Sequence, residues 1–160
     1  MRNGAKTKAA LAAVAMATVM VAGAGLAQAD GSGGGTVIGE GTNALFSFEF
    51  AVEQHSEDTR DASGDFRAAG VPPSDLLIAP KGPATCVDVR GNTAGFLYPL
   101  EEGSRPAPLV GQNILITVVD GGPGGQDAIG FLPTGIDPGS CAPNVATLPL
   151  TSGDIVVSEN

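Results

Sequence analysis

The chain has no tryptophan, one tyrosine and one histidine. Sugar-binding clefts commonly stack rings against their ligands, so this scarcity speaks against a glycosidase and against an ordinary carbohydrate-binding module. Acids are plentiful, and some carboxylate pair will stand at glycosidase spacing by chance. The lone His55 lies in a polar stretch beside Ser56, Glu57 and Asp58. Sequence neighbours rarely supply the geometry of a Ser-His-Asp triad, and no G-x-S-x-G elbow is present. Two cysteines and one distant histidine make a poor metal ligand set. Basic residues are few as well, eight Lys and Arg against 17 Asp and Glu. Such a surface repels nucleic acid and anionic lipid.

What the chain does have begins at its first residue. Arg2, Lys6 and Lys8 form a basic start, an apolar run extends from Ala9 to Leu26, and Ala27-Gln28-Ala29 is a small-x-small cleavage site followed by Asp30. This pattern predicts a secretory signal peptide over residues 1–29. Its removal leaves 131 residues, enough for one hydrophobic core, with five basic residues against 17 acids and a formal net charge of −12. No later run is long and apolar enough to span a bilayer, and Asp30, not a cysteine that could carry a lipid anchor, stands directly after the cleavage site. Leu132-Pro133-Thr134-Gly135 lacks the residue that cell-wall sorting signals carry between Pro and Thr, and is expected to be a loop. The expected product is a released, extracellular protein. Residues 30–35, Asp-Gly-Ser-Gly-Gly-Gly, read as a flexible leader, and residues 36–160 as a single domain.

Apolar residues alternate strictly from Phe46: Phe46, Phe48, Phe50 and Val52 share one parity, which is a strand with one buried face. Residues 54–61 are a polar turn or hairpin tip, and the strand around Phe66 returns. A short strand is expected over Leu76–Ala79 and a turn over Pro80–Pro83. Thr85–Arg90 and Thr93–Leu100 flank Gly91-Asn92, a hairpin turn dipeptide. Asn113–Asp120 is almost wholly apolar or β-branched and is expected to be buried on both faces. Gly121–Gly125 must be loop, Ala128–Leu132 a short strand, Asp137–Ser140 a turn and Ile155–Val157 the last strand. No helical periodicity follows residue 29. The fold class predicted is all-β, an antiparallel sandwich or small barrel of about seven to nine short strands. Cys86 and Cys141, an isolated pair in an oxidising compartment, are expected to form one disulfide.

Cys86-Val87-Asp88-Val89-Arg90-Gly91-Asn92-Thr93-Ala94 resembles the C-x-x-V-x-G-N-x-A stretch of small secreted β-proteins of unknown function common in actinobacteria. Those chains also tend to carry a strand ending in an Asp-Gly-Gly or Asp-Asn-Gly loop, an acidic turn before a second Cys, and a terminal G-[DN]-[IV]-V-V strand. The matching stretches here are Thr117–Gly122, Asp137–Cys141 and Gly153–Val157. The resemblance implies secretion, a β fold and a disulfide. It implies no activity and carries over no catalytic residue.

One constellation suits a ligand. Asp120 and Asp127 flank a glycine loop whose carbonyls can turn inward, and calcium takes hard oxygen donors of both kinds. The loop faintly echoes the calcium-binding nonapeptide repeat, with one residue too many and a single copy. The same glycines lack the lysine and helix of a phosphate-binding loop. Calcium at Asp120 and Asp127 is therefore the one cofactor considered, and no catalytic residue is assigned. The function expected is a secreted, non-catalytic β-domain, a binding or envelope-associated module whose partner is a cell-wall or extracellular component, not nucleic acid or membrane. Two alternatives stand beside it: a small-molecule carrier with an apolar barrel interior, and a hydrolase using paired carboxylates.

Overall fold

The structure, a computed structural model, describes residues 34–136 and 139–160. The expected signal peptide, most of the expected leader and half of the Asp137–Ser140 turn lie outside these residues. Ten strands follow one another: β1 Gly35–Thr42, β2 Phe46–Gln54, β3 Ala62–Gly70, β4 Lys81–Pro83, β5 Cys86–Arg90, β6 Thr93–Pro99, β7 Asn113–Val119, β8 Ala128–Gly135, β9 Leu148–Pro149 and β10 Ser152–Glu159. They form two five-stranded sheets, ordered β10-β1-β2-β3-β4 and β5-β6-β7-β8-β9, and every pairing is antiparallel. β5 lies across β10, β1, β2 and β3 of the opposite sheet. The strands of the two layers therefore cross steeply, as in orthogonal sheet packing.

The core follows from the parity of β2. Phe46, Phe48, Phe50 and Val52 are buried, and the residues between them are exposed. All six phenylalanines meet between the sheets. Phe46 abuts Phe131 at a centroid distance of 4.4 Å, and Phe66 stands 4.6 Å from Tyr98, 6.0 Å from Phe96 and 6.3 Å from Phe50. These rings explain β1, which the sequence pattern did not reveal. Its inward positions after Val37 are Gly39 and Gly41, so no apolar alternation shows. A Cβ on Gly39 would stand 2.5 Å from the Phe50 ring. The strand is hollowed to take rings from its neighbour, and Gly35, assigned above to the leader, is its first residue.

Three local expectations change. Leu76–Ala79 is not a strand: Ser74–Leu76 is a 3₁₀ turn, and Ala79 makes only an isolated bridge to Arg105. Lys81–Pro83 is not a turn but the short edge strand β4, and Pro83 is tolerated there because an edge leaves one side of the ladder unpaired. Leu132–Gly135 continues β8, with a register shift at Asn113/Ile114 where Pro133 enters the ladder.

The second sheet is covered on its outer face. Residues 139–147 cross it as a strap, pinned at one end by the Cys86–Cys141 disulfide, whose Cα atoms are 5.9 Å apart. The strap runs over the cross-strand row Gly95, Thr117 and Gly130. A Cβ on Gly95 would lie 2.2 Å from the Cys141 carbonyl oxygen, and one on Gly130 2.1 Å from that of Val145. Between them the Asn144 N–H donates to Thr117 Oγ1 at 2.9 Å. Cys86, Leu97, Leu115 and Cys141 form a second small core beneath the strap, which is why β6 and β7 are buried on both faces.

Tyr98 is fully buried, and its hydroxyl has no hydrogen-bond partner among the described residues. Burial holds its phenol well above the usual value near 10. The native state thus keeps a proton that the unfolded chain releases. The contribution is fully present below pH 10 and is lost above it, at about 1.4 kcal/mol per pH unit. Tyr98 is the only tyrosine and tryptophan is absent, so near-ultraviolet phenolate absorbance reports this side chain alone. It is expected to rise only as the β circular dichroism disappears. Phenolate formed in the folded protein would contradict the burial, and Tyr98→Phe is expected to flatten the alkaline loss of stability.

Candidate functional site

The Asp120–Asp127 loop joins β7 to β8. Gly122 and Gly124 turn the chain with φ of +66° and +79°, values that suit glycine. The turn directs both carboxylates onto backbone donors. Asp120 Oδ1 accepts from the Gly122 N–H at 2.7 Å and Asp127 Oδ1 from the Gly121 N–H at 2.8 Å. Their other oxygens reach the opposite sheet. Asp127 Oδ2 accepts from the Ile155 N–H at 2.7 Å and Asp120 Oδ2 from the Val157 N–H at 3.2 Å. The two acids singled out for calcium are thus brought to one strand, β10, where each clasps its backbone. Among the described residues no group of three or more His, Cys, Asp and Glu is placed to share a metal ion. A cleft of about 680 Å³ opens between this loop and β10, lined among others by Gln126, Thr151, Ser152 and Asp154.

The hairpin of β2 and β3 places His55 where sequence neighbours did not point. Its Nε2 stands 2.8 Å from Ser63 Oγ, and its Nδ1 stands 3.7 Å from Glu53 Oε1. The partners come from the cross-strand pair Glu53 and Ser63, not from Ser56, Glu57 or Asp58. The order is that of a Ser-His-acid relay. All three side chains are exposed, and the acid stands beyond hydrogen-bonding distance, so it does not fix the ring.

The outer face of the first sheet carries a row of charge. Register places Asp154, Glu40, Glu49, Arg67 and Lys81 side by side across β10, β1, β2, β3 and β4. Arg67 pairs with Glu49, and Lys81 pairs with Glu101 at 2.9 Å. These exposed pairs are worth little to stability. Glu40 has an acid on either side, an arrangement that disfavours pairing of those strands. A shallow cleft of about 660 Å³ lies over this row.

Several connections expose large aliphatic side chains. Leu45, Leu76, Leu77, Val110 and Ile136 are all exposed, Leu76 at 72% and Ile136 at 85%. They sit on three connections and at the end of β8, and hydrogen bonds tie these segments together. The Val71 N–H donates to the Leu45 carbonyl at 3.1 Å. Arg105 Nη1 donates to the Leu76 carbonyl at 2.9 Å, and Asn113 Nδ2 to the Ile136 carbonyl at 2.7 Å. The sequence pattern hides these residues because they are scattered, and because Leu76 and Leu77 read as part of a strand that would bury one of them. The chain matches no family model, no curated protein and no solved structure. No helix among the described residues is long and apolar enough to cross a membrane.

Proposed function

We propose that this chain is an exported, non-catalytic binding domain that docks on an extracellular or cell-wall component through the apolar corner of Leu45, Leu76, Leu77, Val110 and Ile136. The observation that carries this reading is the exposure of five large aliphatic side chains, outside either core, on segments that hydrogen bonds tie to one another or to neighbouring connections. Exposed apolar surface of this kind marks interaction sites, and loops on a rigid scaffold commonly carry them. The disulfide supports an oxidising compartment. The carrier alternative has less support, because the phenylalanine rings touch one another in the space a ligand would need.

The test is capture from the culture fluid and cell wall of the secreting organism with immobilised protein, in parallel with the Leu76→Ser/Leu77→Ser variant. These side chains make no core contact, so the variant is expected to keep the wild-type melting temperature while losing at least about tenfold in captured partner, which corresponds to about 1.4 kcal/mol. Equal capture by both proteins would remove the corner from the reading. A fluorophosphonate that labelled Ser63 would point instead to a serine hydrolase, a chemistry distinct from the paired-carboxylate alternative.

A further inference from the structure

The two sheets have four edges, and they are not alike. β4 has three residues and ends in Pro83; β9 has two and ends in Pro149. β5 is covered, since its Val87 N–H donates to the Thr59 carbonyl at 2.7 Å. β10, with eight residues, is the one long edge among the described strands. A long edge presents a row of free N–H and C=O groups that template pairing with another chain. In an antiparallel ladder alternate residues point their backbone groups away from the partner strand. On β10 the outward N–H groups include those of Ile155 and Val157, the two that Asp127 and Asp120 accept from.

We propose that the Asp120 and Asp127 carboxylates guard β10 against pairing with the β10 of a second copy of this chain. The occupant follows from the sequence of the strand. An antiparallel pair with its two-fold axis at Val156 sets Val156 beside its symmetry mate. It sets Ile155 opposite Val157 and Asp154 opposite Ser158. No like charges face each other, and the apolar residues meet. The hydrogen bonds of that pair would use the Ile155 and Val157 N–H groups. Each guard oxygen therefore occupies a donor the dimer needs, and the carboxylates approach the β10 edge on the side from which the second strand would pair. Opening the guard would join two five-stranded sheets into one of ten strands. This inference is independent of the apolar corner, none of whose residues lies on β10 or on the β7–β8 loop.

The experiment is light scattering on the whole chain eluting from a sizing column. The wild type is expected to be monomeric at concentrations where Asp120→Ala/Asp127→Ala is dimeric. Adding Val157→Pro to that variant is expected to restore the monomer, because proline lacks the N–H the dimer uses while the bonds to β1 come from the neighbouring residues. A folded double variant that stays monomeric overturns the proposal, and so do dimers that persist with Val157→Pro. Hydrogen exchange on the wild type tests the guard without any substitution. The Ile155 and Val157 amides are expected to be protected at least about tenfold over free amides, and exchange at the free rate overturns the proposal whether or not the variants fold.

Discussion

Phe66→Ala is expected to lower the unfolding free energy by about 3–5 kcal/mol, the range for deleting a fully buried phenylalanine. The upper part of that range is the expectation here. Phe66 is 1% exposed and meets rings from both sheets: Phe50 on its own sheet, and Phe96, Tyr98 and Phe131 on the other. The steep crossing of the sheets leaves these rings no common direction in which to collapse, so the cavity stays. Urea unfolding followed by circular dichroism measures the effect. A loss below about 1 kcal/mol would mean that the neighbouring rings close over the gap.

The second large effect concerns the strap. Replacing Cys86 and Cys141 together by Ala is expected to cost about 2–5 kcal/mol, and loop-closure entropy alone suggests about 4 kcal/mol for a bridge over 55 residues of separation. The structure adds a reason specific to this chain. The bridge holds residues 139–147 down on Leu97 and Leu115, which face outward from the second sheet and form one small core with the two cysteines. Losing the bond thus frees the unfolded chain and also uncovers apolar surface in the folded one. Binding of a dye specific for exposed apolar surface separates the two contributions. It is expected to increase in the folded variant. Unchanged dye binding with a small stability loss would show that the Asn144–Thr117 hydrogen bond and the two glycines suffice to seat the strap.

How much of this was legible depends on the kind of signal each residue carries. Phe46 to Val52 announced its buried face, because a strand between a core and solvent alternates with period two. Gly91-Asn92 announced its hairpin, and Cys86 and Cys141 had no other partner than each other. β1 was invisible because its inner face beyond Val37 is glycine, made small to receive Phe48 and Phe50, and no local rule registers a ring supplied by another strand. β4 was hidden by its flanking prolines, which signal a turn unless the strand is at an edge. His55 has Ser56, Glu57 and Asp58 as its neighbours in sequence, yet the strands bring it Ser63 and Glu53 instead. Asp120 and Asp127 were found by their spacing around a glycine loop. Their actual partners, two N–H groups of β10, lie some thirty residues further along.

The sequence by itself determined the all-β class, the parity of the main strands, the cysteine pairing and the position of the acidic loop. Each depends on neighbours close in the chain or on a choice among very few residues. Only the tertiary structure decided the crossing of the sheets, the strap over Gly95 and Gly130, the apolar corner and the clasp on β10. Those depend on which segments far apart in the chain meet. Glycines and scattered leucines that make such meetings possible have the same composition whether they line a contact or face water.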